Sequence, residues 1–215
     1  MSSVLDPSIP IDVGALSQRQ RIIEAMLESC AEKTYAATTI ADIVSRASIS
    51  RTTFYKRFAG KRECFDATLD WCIEQLAAVA KESHSSNDSP PEAVRKGAAA
   101  TLDLLASKPA VAQLVMGEAV AVEPNVIQRY RQLLVPALEN LWDAAGESRS
   151  SESNTQVSFG QAQVLIYNQV ITGRTAQLPE LLPELVYITL LPFAGHEEAL
   201  KQARLAGSET GSGTR

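Results

Sequence analysis

Lysine and arginine are missing from the first sixteen residues, aromatic side chains make up only 6% of the chain, and none of its three cysteines forms a Cys-x-x-Cys pair. An odd set of widely spaced thiols, Cys30, Cys64 and Cys72, argues against a zinc site or a disulfide framework. Reduced core thiols are expected, with a redox sensor as the alternative. The start Met1-Ser2-Ser3-Val4-Leu5-Asp6-Pro7 has no basic region ahead of an apolar run, and no stretch of roughly 18 uninterrupted apolar residues follows. Neither a signal peptide nor a membrane span is therefore implied, and a cytoplasmic location is expected.

The signatures of enzymes are missing as well. There is no G-x-S-x-G, H-E-x-x-H, P-loop or G-x-G-x-x-G pattern. Only two histidines occur, His84 in a serine-rich stretch and His196 far along the chain, so no metal pair or positioned general base stands out. No catalytic residue, cofactor or metal is expected.

What remains is an ordinary soluble composition over 215 residues, 45% apolar and 21% charged, rich in Ala and Leu. The net charge of −5 would disfavour a polyanionic partner if it were evenly spread. It is not: residues 17–62 hold nine Lys/Arg against four Asp/Glu, a net +5, and the remainder carries −10. A small basic module beside a larger acidic one is the asymmetry of a protein that meets nucleic acid at one end.

Periodicity predicts helices throughout. Ser17 is placed to cap a first helix whose Ile22, Ile23, Met26, Leu27, Cys30 and Ala31 recur at three- and four-residue spacing. Thr39 can cap a second, with Ile40, Ile43 and Val44 facing inward, and Ser50 a third, with Phe54 and Phe58 as core contacts beside Ile49. Arg51, Thr52, Tyr55 and Lys56 then share the outer face of the third helix. A fourth helix starts near Lys61 with the stripe Phe65, Leu69, Cys72, Leu76 and Val79, and ends in the polar run 83–91. Further helical stretches are expected over about 91–107, 109–121, 124–145, 156–176, 179–192 and 196–206. Pro109, Pro124 and Pro179 suit first turns, and Pro136 should kink its helix. No alternating strand pattern of useful length intervenes.

Two short helices about a tight turn, the second displaying cations, hydroxyls and an aromatic, have the chemistry of a DNA-groove reader. The set Tyr35, Thr39, Ile43, Ala47, Ile49, Ser50, Thr53, Tyr55, Phe58 and Lys61 closely resembles, in type and spacing, the N-terminal domain of the TetR family of transcriptional regulators. Two positions depart from that pattern: Ser48 stands where the turn glycine usually is, and Thr34 where a glycine often precedes the aromatic. A positive φ at Ser48 would carry a steric cost that glycine avoids.

The resemblance implies an all-α fold: an N-terminal three-helix helix-turn-helix DNA-binding domain at 17–62, then a helical ligand-binding and dimerisation domain at 63–206. Residues 1–16 would form a flexible arm, poorly suited to the minor groove without a cation, and 207–215 a flexible tail. Site roles follow by the same resemblance. Arg51, Thr52 and Lys56 would face bases of a double-stranded DNA operator, with Arg51 the best reader of guanine. Thr39, Thr53, Tyr55 and Lys61 would hold phosphates, Ser50 would cap the reading helix, and Arg57 would touch backbone or a base edge.

The resemblance also implies a homodimer through helices at about 156–176 and 179–192. Phe159, Ala162, Leu165, Ile166, Gln169, Val170 and Gly173 would face the partner from the first, and Leu182, Leu185, Val186, Thr189 and Leu190 from the second. A small-molecule effector, apolar or aromatic, would be lined by Trp71, Met116, Tyr130, Trp142, Tyr167 and Asn168. The implied function is a ligand-responsive repressor that leaves its operator when the effector binds. The alternatives are a helical dimerisation or protein-interaction module and a small helical enzyme.

Overall fold

A computed structural model describes residues 13–123, 126–145 and 152–212, and among them the secondary structure is entirely helical. The chain divides into two compact units, Met1–Asp70 and Trp71–Arg215.

The first unit is built on α1 (Val13–Ala37), α2 (Ile40–Arg46), α3 (Arg51–Tyr55) and the opening of α4 (Lys61–Glu82). α1 begins four residues ahead of the expected cap at Ser17, so part of the stretch expected as a flexible arm is helical. The apolar stripe read from the sequence is the core: Ile22, Ile23 and Met26 are fully buried, with Cys30, Ile43, Phe54, Phe58, Phe65 and Leu69. Ring contacts fix it, Phe54 on Phe58 at 5.8 Å and Tyr35 on Phe65 at 4.6 Å between centroids. The guanidinium of Arg19 lies 5.6 Å from the Phe58 centroid, closing one edge with a cation over a ring face.

Two non-glycine residues in this unit have left-handed backbone. Ser48 (φ 53) follows α2, where Ile49 N–H donates to Val44 O (3.0 Å) and Ser48 N–H to Ser45 O (3.2 Å). That pair of bonds is a Schellman turn, whose left-handed position is normally glycine. Thr34 (φ 72, ψ 159) interrupts α1 in a region that β-branched residues avoid.

The second unit contains the rest of α4, α5 (Pro90–Ser107), α6 (Pro109–Val122), α7 (Val126–Ala145), α8 (Glu152–Ile171), a 3₁₀ turn (Thr175–Leu181) and α9 (Leu182–Ser212). Ser89 and Glu92 form the capping box of α5. Within α6, Gln113–Glu118 is a π-helical turn, and the hydroxyl of Tyr130 donates to Val115 O inside it at 2.8 Å. α7 continues through Pro136, which is exposed. Pro179 lies in the 3₁₀ turn and not in the first turn of the following helix; Pro124 is outside the described residues.

α9 is two arms. Gly195 (φ 74, ψ 176) breaks it, close to where the sequence separates 179–192 from 196–206. The second arm folds back along the first: Tyr187 Oη lies 3.0 Å from His196 Nδ1, and a Cβ on Gly207 would sit 3.8 Å from Pro183 Cγ. By length and composition Thr175–Glu209 could cross a membrane. Each arm of the folded-back pair is, however, shorter than the roughly 20 residues a span requires. The second arm also extends to Ser212, through residues expected as a free tail. Its Gln202, Ala203 and Ala206 are buried, and α9 packs mainly against α5 and α8.

Candidate nucleic-acid interface

α2 starts where it does because Thr39 and Asp42 satisfy each other's backbone. Thr39 N–H donates to Asp42 Oδ2 (2.9 Å), and Asp42 N–H donates to Thr39 Oγ1 (3.2 Å). Lys33 Nζ reaches Asp42 Oδ1 from α1 at 2.6 Å. That ammonium, with the hydroxyl and N–H of Thr39, holds the Asp42 carboxyl well below the usual carboxylate range. Arg46, in the last turn of α2, bonds Glu28 (2.9 Å) and Glu32 of α1, and those two carboxylates raise its own pKa further. α2 is thereby pinned to α1 at both ends. Sequence reasoning missed both ties, although Glu28 and Glu32 stand one turn apart on α1 and mark one face for a cation.

α3 is a single short helix. Ser50 Oγ accepts from Thr53 N–H at 3.0 Å and lies 2.9 Å from Thr53 Oγ1, so both hydroxyls serve the cap. Phe54 is fully buried, and the Tyr55 ring, 56% exposed, meets its edge at 5.5 Å. One buried aromatic thus orients the face on which Arg51, Thr52, Tyr55 and Lys56 stand exposed, with Arg57 just beyond.

Apart from Arg21 of α1, which is exposed and makes no ion pair or side-chain hydrogen bond among the described residues, the cations of this unit divide by place. Arg19, Lys33, Arg46 and Arg62 are bound to a ring face or to carboxylates, Arg62 Nε to Asp66 Oδ1 at 3.0 Å. Arg51, Lys56 and Arg57 are exposed and make no ion pair or side-chain hydrogen bond among the described residues. Three uncommitted cations on and beside one short helix form a surface whose charge is available to an external anion.

Lys61 is not part of that surface. Its Nζ donates to Tyr35 O (2.9 Å) and Thr38 O (2.8 Å), 4.3 Å from the Tyr35 ring centroid. The resemblance gives it a phosphate-holding role, whereas here its ammonium is already bound to two carbonyl oxygens at the end of α1. Thr39 and Thr53 likewise have hydroxyls committed to caps, leaving Tyr55 as the phosphate-set residue with an outward polar tip.

The six residues expected around an effector differ in burial. Tyr130 is buried on the π-turn, and Trp142 is buried with its ring 4.7 Å from Phe193 and its indole N–H without a partner. Trp71 and Met116 are half-buried. Tyr167 and Asn168 lie on the exposed side of α8. The proposed dimer residues are also redistributed: Val170, Leu182, Leu185, Val186 and Leu190 belong to the core of their own unit. An apolar stripe is left exposed at Val164, Tyr167 and Ile171 on α8; Leu191 and Leu205 on α9, Val120 and Leu134 are exposed as well. The side chain of Phe159 is outside the described residues. Cys30, Cys64 and Cys72 are all buried as free thiols, and burial pushes both Cys64 and Cys72 up to about 12, the opposite of a reactive sensor.

Three helices around one apolar centre, the last displaying free cations, define a helix-turn-helix domain of the kind carried by transcriptional regulators. Its family follows from comparison: residues 22–68 match the family described as bacterial regulatory proteins, tetR family, and the N-terminal unit is a TetR-family domain. Over 102 residues the chain is 29% identical to the uncharacterized HTH-type transcriptional regulator YxbF of Bacillus subtilis strain 168. That match takes in 47% of this chain but only 27% of the relative's length.

Solved structures extend the likeness to both units. The fatty acid degradation regulator FadR from Bacillus halodurans superposes with a TM-score of 0.69 at 16% identity, over 84% of this chain and 96% of that one. FadR from Bacillus subtilis in complex with stearoyl-CoA gives 0.67 at 16% identity, over 82% and 98%. CprB, a TetR-family protein from S. coelicolor A3(2), gives 0.60 at 20%, over 92% and 100%. At these identities the likeness is one of fold.

Proposed function

We propose that this chain is a cytoplasmic, homodimeric transcriptional regulator that binds a double-stranded DNA operator through α3 and is released when a small molecule binds its second unit, so acting as a repressor. The observation that carries the reading is the grouping of free cations, with Arg51, Lys56 and Arg57 together beside Thr52 and Tyr55 while Arg19, Lys33, Arg46 and Arg62 are tied down. Arg51 is assigned to a base edge, Thr52 and Lys56 to bases, and Tyr55 and Arg57 to the backbone. Thr39, Ser50 and Thr53 shape the surface as caps.

Dimerisation is assigned to the exposed stripe Val164, Tyr167, Ile171 and Leu191. Two half-sites about one helical turn apart require two copies of α3, so the dimer is part of the mechanism. An apolar or aromatic effector is favoured by the aromatic content around Trp142 and Phe193, and a structural relative in complex with stearoyl-CoA agrees with that chemistry. Release requires that the effector prefer a state unfit for DNA, since a ligand binding both states equally shifts nothing.

The test is a gel shift of the full-length protein on its own promoter region against random duplex at moderate salt. A specific complex of dimer stoichiometry is expected. Equal binding to both duplexes, or none to either, would overturn the reading and favour the interaction module.

A further inference from the structure

A cation in the first turn of a helix opposes the helix dipole, and Lys61 is the first residue of α4. Its ammonium sits instead at the end of α1. There Thr34 has broken the helix, and the carbonyls of Tyr35 and Thr38 both receive the Lys61 Nζ, at 2.9 and 2.8 Å. A lysine ammonium has three N–H donors; two go to these oxygens, and the Tyr35 ring flanks the group at 4.3 Å. The ring itself packs at a tilt against Phe65, one turn further along α4.

The turn that Lys61 grips is tightly specified. Thr38, buried, donates its hydroxyl to Thr34 O at 2.7 Å and its N–H to the same oxygen at 3.1 Å. The next residue, Thr39, begins the capping box that starts α2. Whatever fixes residues 34–38 therefore fixes where α2 begins, and α2 positions α3 through the Schellman turn at Ser48.

We propose that Lys61 is a positioning residue: it locks the strained 34–38 turn onto the start of α4 and so sets the presentation of α3, acting on DNA affinity through geometry and not as a phosphate ligand. This deepens the operator-binding reading and rests on it for its DNA measurements. It assigns Lys61 a role different from that implied by its place in the family motif. The clamp also explains how Thr34 is kept at a φ that it would not choose alone.

Lys61→Met retains the stem and removes the ammonium. In the full-length protein its thermal midpoint is expected to fall by about 4 °C or more. On the promoter duplex, well below that midpoint, affinity should fall about tenfold at every salt concentration, while the slope of log affinity against log salt stays at the wild-type value. A phosphate ligand predicts the reverse: an unchanged midpoint and a slope shallower by about 0.9. Lys61→Arg gives a second, independent reading, because it keeps a cation for a phosphate but replaces the compact ammonium that fits between two carbonyls. The clamp predicts that it too loses stability and affinity; wild-type behaviour in Lys61→Arg overturns the proposal, even if Lys61→Met fails to fold. Should the wild-type protein bind no operator, the regulator reading fails alone. The clamp is then still decided by the midpoints, and an unchanged midpoint in Lys61→Met overturns it.

Discussion

The guanidinium of Arg95, buried in α5, donates to the carboxylate of Glu209 and to Gln202 Oε1 at 3.0 Å, both on the second arm of α9. Glu209 is half exposed, so solvent screens the pair on one side only. Glu209→Ala leaves a buried cation with a single neutral partner and should lower unfolding free energy by about 1–2 kcal/mol. Arg95→Met combined with Glu209→Ala should be no less stable than Glu209→Ala alone, because the buried charge is then gone. Urea denaturation of the three proteins checks the order.

Glycine at either left-handed position should stabilise the first unit. Thr34→Gly and Ser48→Gly each relieve a steric cost of about 1–2 kcal/mol, partly offset by the freedom glycine adds to the unfolded chain. A net gain of roughly 0.5–1 kcal/mol is expected, larger for Thr34, whose ψ of 159 is the less tolerated for a β-branched residue. Thermal melts of residues 1–215 with each change would show it, and a loss of stability would mean that the side chain holds something the backbone angle does not reveal.

Arg51→Ala removes a free cation and no internal contact. Affinity for the specific duplex should drop by about 1–3 kcal/mol with no change in thermal midpoint. If random DNA loses affinity equally, Arg51 belongs to phosphate and not to a base edge.

A charge within the exposed α8 stripe should separate the subunits. Ile171 is 53% exposed, so Ile171→Asp costs the isolated unit little but places carboxylates face to face across a two-fold axis. Sedimentation should show monomer with native helicity, and operator affinity should collapse because two half-sites can no longer be engaged together.

Alkaline pH should weaken the protein through its thiols. Cys64 and Cys72 rise from an ordinary 9.0 to about 12, chiefly because burial penalises the thiolate. The folded state holds its protons longer than the unfolded one, so this contribution is intact below pH 9 and is lost between 9 and 12. Denaturation midpoints at pH 8 and 10.5 should differ by less in Cys72→Ala than in the wild type.

Helices were legible in this sequence wherever one apolar stripe stood against charged neighbours, as from Ile22 to Cys30 and from Phe65 to Cys72. The turn at Ser48 was legible because a motif fixed its place. Lys61 was not: which carbonyls its ammonium can reach depends on where α1 breaks, and a long flexible side chain follows that tertiary fact. α8 hid its exposed stripe for another reason, since apolar residues surround it and period alone cannot rank Val164 and Ile171 against Val170. The polar, glycine-bearing stretch from Gly207 has the composition of a tail, and period alone does not show that the distant Arg95 binds it through Glu209.

The Arg95 to Glu209 bond joins residues 114 apart in sequence, whereas the first unit closes within its first seventy residues. Chain order during synthesis therefore separates the two: the reading head can fold while the ribosome is still at work, but α5 waits for the second arm of α9 before its buried cation is matched. A dimer formed through the exposed α8 stripe, as proposed above, would wait on that same late closure, so a nascent or truncated chain is expected to hold a folded first unit without the surface that pairs it.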